Sequence, residues 1–317
     1  MTMQNRRQWL QSALGTSAAP FLKAAPLAPH DFKARLRGPI LSFPTVYQRS
    51  GAIDRQGIRR MIDNAIRAGV KVVTLTRGNN HYDWLTWEET LELTRCMVES
   101  VAGRALTIAA TGSWSTGQSA RYARFAAEAG ADGLQLTMPP EGTDASYATH
   151  FRTVAQAAAR PIVIHGQPSM KLLRLLRDMD TVVAMKEEFT LDYTVPIYAE
   201  FGDRFSIFAG GTKARLLAYR PYGMCAYYSA FSTFAPDIAM RFWRAVEASD
   251  MKSATQFVLR YDVPFFHRWS HAFWLATLEV FGIAGRFMRA PREALPEERM
   301  RDVADFYRGL GLLPSRS

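Results

Sequence analysis

Two residues in neighbouring apolar runs have types suited to carbonyl chemistry. Lys186 ends the β-branched run Thr181-Val182-Val183-Ala184-Met185-Lys186, and His165 ends Pro161-Ile162-Val163-Ile164-His165. A lysine at the carboxyl end of a strand buried on both faces is half-desolvated, which disfavours the ammonium and frees the amine as a nucleophile toward a carbonyl. An imine-forming lysine needs a proton carrier for carbinolamine breakdown, and an imidazole beside it supplies one. Each residue also has a plain reading. Lys186 can open a solvated charged loop with Glu187 and Glu188, and His165 can be a packed ring satisfied by a backbone carbonyl.

The chemistry requires both runs to end on one rim, so the surrounding elements decide. From Pro39 onward the chain alternates β-rich runs with amphipathic helical stretches through eight rounds. The strands are expected at Ile40–Val46, Val70–Thr76, Ala105–Thr111, Gly133–Met138, Pro161–His165, Thr181–Lys186, Phe205–Ala209 and Gly223–Ser229. The helices between and after them are expected at Asp54–Ala68, Thr86–Val101, Thr116–Ala129, Ser146–Ala159, Met170–Arg177, Leu191–Phe201, Lys213–Tyr219 and Pro236–Ala248. Asp54 reads as a helix cap, Thr86 with Glu89 as a capping box, and Gly69 and Gly130 as helix stops. Eight strand–helix units in a chain of this length specify a (β/α)8 TIM barrel over residues 31–248. A doubly wound sheet is the competing fold, but it calls for a Gly-rich first turn and Pro44–Arg49 is not one. Residues 249–317 hold three further helical stretches, Lys252–His267, His271–Phe281 and Pro296–Leu310, expected to pack on the barrel as an extension.

A barrel gathers its strand ends on one face. That face then collects Thr45, Arg77–Asn79, Thr111–Ser113, Thr137, His165, Lys186, Gly210–Thr212 and Cys225–Tyr228, with Gly210 and Cys225 among the candidates for touching substrate. Gly210-Gly211-Thr212-Lys213 after the seventh strand also admits a phosphate-binding reading. His267 and His271 share a helical face, but with no third ligand in view they read as packing or surface residues, and no metal site is expected.

Composition narrows the function further. The chain has 317 residues, 48% hydrophobic and 21% charged, and no apolar run approaches the ~18 residues of a membrane span. The net charge of +10 is spread as single arginines with no aromatic-interleaved basic tract, which argues against nucleic-acid binding. The two cysteines, Cys96 and Cys225, have neither metal nor disulfide spacing. Residues 1–30 stand apart: Arg6-Arg7-Gln8-Trp9-Leu10 and the mildly apolar stretch after it resemble a twin-arginine export signal, leaving periplasmic and cytoplasmic locations both open.

Taken in register, several short segments resemble the dihydrodipicolinate synthase and N-acetylneuraminate lyase family. They include Phe43-Pro44-Thr45, Ile53-Asp54, Leu85-Thr86, Ser113–Thr116, Ala129-Gly130-Ala131-Asp132-Gly133, Met185-Lys186-Glu187, Ala209-Gly210, Tyr222-Gly223 and Phe281-Gly282 to Pro291. The resemblance implies that Lys186 forms an imine with pyruvate or another 2-oxo acid or sugar acid, as an aldolase or dehydratase, with no metal or organic cofactor and in a dimer or tetramer. It also marks departures. The family's Gly-Thr-Thr-Gly-Glu carboxylate loop is here Arg77-Gly78-Asn79-Asn80-His81, leaving Asn79, the Gly78 backbone and an inward-turned Arg77 as possible donors. The family's catalytic tyrosine aligns with His165, the synthase-branch arginine with Met170, and the tyrosine loaned across its dimer falls in Met138-Pro139-Pro140. These changes point away from the lysine-pathway synthase. They leave a non-catalytic sugar-acid-binding barrel as a second reading, and Tyr82, Trp84, Trp114, Tyr227 and Tyr228 as an expected aromatic rim.

Overall fold

The computed structural model describes residues 26–314, so the twin-arginine-like segment lies outside the described residues. Eight strands are present: Gly38–Ser42 (β1), Val72–Thr74 (β2), Leu106–Ala110 (β3), Gly133–Thr137 (β4), Ile162–His165 (β5), Val182–Glu187 (β6), Ser206–Ala209 (β7) and Ala226–Tyr228 (β8). Each pairs in parallel with the next, and β8 returns to β1 to close the barrel. Nearly every strand residue is buried, because interior side chains cover one face and the outer helices the other.

Strand alternation sorts the side chains into two layers. Ile40, Val72, Ile108, Val163, Ala184 and Phe208 meet inside the barrel, while Leu41, Val73, Ile164 and Met185 belong to the clusters under the helices. The parity that sends Val163 and Ala184 inward also sends His165 and Lys186 inward, two residues further on.

The foot of the barrel is closed by the helix Pro29–Arg35, whose Phe32 is fully buried. Gly133 makes room for that ring, since a Cβ there would come within 2.9 Å of Phe32 Cζ. The expected caps form: Asp54 accepts from the Gly57 N–H at 2.9 Å, and Thr86 and Glu89 make a reciprocal capping box. Gly69 (φ 109°) and Gly130 (φ 99°) end their helices in the left-handed conformation that a side chain would disfavour. Three strands are shorter than the sequence reading by two residues or more at an end. β2 keeps only Val72–Thr74 of the expected Val70–Thr76, β1 stops at Ser42, so Phe43–Val46 is loop, and β8 starts at Ala226, not Gly223. Among the described residues no helix is long and apolar enough to cross a membrane.

The extension begins with the helix Met251–Phe257, widens into a π turn at Val258–Asp262, and continues as Val263–His267. Pro264 lacks the N–H that would bond the Arg260 carbonyl, so the widening sits where the α-helical ladder has to break. The turn delivers Asp262 to the start of the helix Lys213–Tyr219. There its carboxylate accepts the Lys213 backbone N–H at 2.6 Å and pairs with the Lys213 ammonium, both side chains being almost wholly buried. This overturns the phosphate-binding reading of Gly210–Lys213, because a carboxylate of the chain itself occupies the helix start and its lysine. The helices His271–Val280 and Glu297–Gly309 complete the extension, joined through Thr277 and Tyr307 at 2.9 Å.

Removing one partner of a buried ion pair leaves an uncompensated charge, at a cost of about 3–5 kcal/mol, whereas replacing both with apolar groups is often nearly neutral. Asp262→Ala is therefore expected to lower the urea midpoint markedly, and Lys213→Met with Asp262→Leu to recover most of the loss. An unchanged midpoint in Asp262→Ala would show that the pair does not anchor the extension.

Candidate active site

The register of β5 on β6 pairs His165 with Lys186, and both side chains rise into the carboxyl-terminal mouth. Lys186 Nζ lies 3.2 Å from His165 Nε2 and 2.8 Å from Glu188 Oε2, with the Tyr228 ring centroid 4.8 Å away. Lys186 is 5% exposed. Burial pushes its ammonium below the ordinary value, and the Glu188 charge offsets only part of this.

The His165 ring is oriented from behind. Thr137 Oγ1 gives its proton to the Thr111 carbonyl at 3.0 Å and lies 3.2 Å from His165 Nδ1. Gln135 Nε2 lies 3.3 Å from the same Nδ1, so two β4 side chains hold the ring on that edge while Nε2 faces Lys186. Gln135, an amide in the middle of β4, accepts from the Tyr228 hydroxyl at 2.7 Å and directs its own Nε2 at Thr76 Oγ1, 3.3 Å away. Burial, reinforced by the charge of Lys186, pushes the imidazole below its usual value of 6.5, so it is neutral at pH 7.

Glu188 is the third member, read from the sequence only as the start of a charged loop. Alternation sends Glu187 outward, where its fully buried carboxylate takes the Thr194 hydroxyl at 2.8 Å and the Arg215 guanidinium at 3.1 Å. Glu188 consequently turns inward, with Oε2 3.4 Å from His165 Nε2. Burial pushes its carboxyl up, but the His165 hydrogen bond and the Lys186 charge outweigh that and hold it at about 2. Its parity with Lys186 was the available signal.

These groups open on a cavity of about 320 Å³. Gly78 and Asn79 line it, as expected, and Asn79 Nδ2 donates to Ser42 Oγ at 2.9 Å. Gly210 lies on the rim beneath Glu188, while Gly211 faces the cavity. Cys225 is not at the site. Because β8 starts one residue later, Cys225 sits at the amino-terminal end of the barrel, packed with the cluster that includes Phe32 and Leu36. Arg77 turns outward to Asp83, 3.0 Å away, and does not point at the lysine.

The expected aromatic rim is also redistributed. Of its members only Tyr228 lines the cavity: Tyr227 points outward to the Ala239 carbonyl, and Tyr82 stacks on Trp114. The aromatic wall instead comes from the extension, as Phe266, Trp269 and Trp274. Sequence reasoning missed these because nothing local ties a distant helix to the barrel mouth. His271 packs on His81, ring centroids 3.7 Å apart, and His267 is exposed. Among the described residues no group of three or more His, Cys, Asp or Glu is placed to hold a metal.

Comparison with known proteins agrees with this architecture. The family model described as "Dihydrodipicolinate synthetase family" matches residues 35–264. "Probable 5-dehydro-4-deoxyglucarate dehydratase 1" of Streptomyces coelicolor is 33% identical over 248 residues, covering 72% of this chain and 76% of its own. A 4-hydroxy-tetrahydrodipicolinate synthase of Symbiobacterium thermophilum is 30% identical over 192 residues, covering 57% of this chain and 65% of its own. Among solved structures, dihydrodipicolinate synthase from Aquifex aeolicus superposes with a TM-score of 0.79 at 22% identity, covering 87% of this chain and 99% of that one. A prophage protein of the same family from E. coli K12, in complex with pyruvate, gives 0.78 at 20% identity, with 87% and 99% covered. The barrel, its strand order and the family match leave one conclusion: the chain belongs to the dihydrodipicolinate synthetase family.

Proposed function

We propose that the chain is a Schiff-base lyase of the dehydratase type, acting on a 2-oxo sugar acid, with Lys186 as nucleophile and His165 as proton carrier. The observation that carries this reading is the buried Lys186 side chain with its Nζ 3.2 Å from His165 Nε2. His165 takes the proton that Lys186 must lose, and the neutral amine adds to the keto carbon. The imidazolium returns the proton as the carbinolamine oxygen leaves as water, giving an iminium. The substrate carboxylate is read as lying against Gly78 and Asn79, where the first-turn N–H groups of the short helix Arg77–Asn80 have no acceptor within it. Loss of a proton from C3 and of a hydroxyl from C4 then completes dehydration.

A sugar acid is supported by the cavity's mixed lining of hydroxyl and amide groups with a wall of Phe266, Trp269 and Trp274, and by the dehydratase names of several relatives. The chain is also read as a homo-oligomer. Large apolar side chains stand exposed on the extension, Leu259 at 62% and Val263 at 38%, where a second copy would cover them.

Borohydride treatment with pyruvate is expected to add a reduced three-carbon adduct to the wild-type mass and nothing to Lys186→Ala. A wild type left unmodified by every 2-oxo acid tried would reject the imine. The pH profile supplies a second expectation. His165 is active when neutral and its pKa is depressed, so kcat/KM should hold as pH falls through 6.5 and drop only below it. His165→Asn should lower the rate about 100-fold or more and lose that limb. An acid limb that persists unchanged in the variant would assign it to another group.

A further inference from the structure

The proton that leaves C3 needs an acceptor, and the cavity offers few. Ser42, Thr76 and Ser229 are hydroxyls without basicity, and Asn79 is an amide. The Tyr228 phenol gives its proton to Gln135, and burial raises its pKa, so it does not exist as phenolate near neutrality. Two bases stand beside the lysine: His165 Nε2, 3.2 Å from Lys186 Nζ, which carries the proton of carbinolamine formation and breakdown, and Glu188 Oε2, which lies closer at 2.8 Å.

We propose that Glu188 is a catalytic residue, the base that removes the C3 proton of the Lys186 imine. This rests on the Schiff-base reading above. A substrate joined to Nζ places C2 one bond and C3 two bonds from that atom. A carboxylate oxygen hydrogen-bonded to Nζ can therefore reach the ~3–3.5 Å from C3 that a near-attack contact requires. The step balances: the C3–H bond breaks, its proton goes to Glu188 Oε2, and its electron pair forms the C2=C3 bond of an enamine as the C=N pair returns to nitrogen. When the C4–O bond breaks, the enamine pair forms C3=C4 and restores the iminium, and the Glu188 carboxyl gives its proton to the departing hydroxyl, releasing one water. Before proton transfer the carboxylate also faces the cationic iminium and stabilises it.

Two features outside the contact indicate that the inward position of Glu188 is built in. Its neighbour Glu187 is tied down on the far side of the strand by Thr194 and Arg215, which fixes the chain direction at 188. Gly210, on the adjacent strand end, leaves the space that the Glu188 side chain fills: a Cβ there would come within 2.5 Å of Glu188 Cγ. The Gly210 backbone is not in the positive-φ region, so alanine is excluded by the carboxylate side chain and not by the turn.

The test separates imine formation from C3 deprotonation, with pyruvate as the probe. In D2O the wild type should exchange the pyruvate methyl protons, followed by NMR, and should be trapped by borohydride. Glu188→Gln should still be trapped, since it keeps Lys186 and removes a charge that favours the ammonium, while exchange falls about 100-fold or more. Gly210→Ala, which displaces the carboxylate without removing it, should show the same split. Exchange within threefold of wild type in Glu188→Gln would overturn the base assignment and leave the Schiff-base reading standing. Loss of trapping together with exchange in that variant would instead make Glu188 a positioning residue for Lys186. A wild type that is never trapped would sink both readings.

Discussion

An ammonium held almost without water between an imidazole and a carboxylate is the constraint on which the upper half of the barrel depends. Taking a lysine charge out of water costs several kcal/mol unless its partners are placed to meet it. Here the partners come from the residue just past the end of the same strand, Glu188, and from the adjacent strand, as His165. Their separation is set by the β5–β6 register, so a slip of one residue in β5 would turn His165 into the helix layer and away from Lys186. Fold and site geometry are therefore fixed by the same hydrogen bonds.

The layers around the site answer to that constraint. Thr137 and Gln135 on β4 orient the imidazole, and Tyr228 on β8 closes the network from the opposite wall. The extension is held by the Lys213–Asp262 pair and by the Trp274 indole donating to Thr233 at 2.9 Å. So anchored, it brings Trp269, Trp274 and Phe266 over the mouth, restricting water around Lys186. The closed foot beneath Phe32 leaves access to the interior from the top.

Much of this was legible in the residues. The eight alternating units predicted the closed barrel, and the caps at Asp54, Thr86, Gly69 and Gly130 formed because they depend on local backbone chemistry alone. Lys186 and His165 could be placed together because strand parity and neighbouring order are nearly enough to define the rim. What local pattern does not carry is where pairing begins and which distant segment covers a surface. Cys225 went to the foot because β8 starts after it, and Tyr227 went outward by the same count. Gly210–Lys213 looked like a phosphate turn until Asp262, 49 residues away, took its amide and its ammonium. Glu188 lay in plain sight. Its place beside Lys186 needed the third dimension, where Gly210 makes room for it.

A crystal structure of the protein soaked with pyruvate tests the central claim most directly. The account predicts continuous density from Lys186 Nζ to the keto carbon, with the carboxylate against Gly78 and Asn79 and the methyl carbon within reach of Glu188 Oε2. Pyruvate bound without a bond to Lys186, or with its methyl group turned away from Glu188, would contradict it.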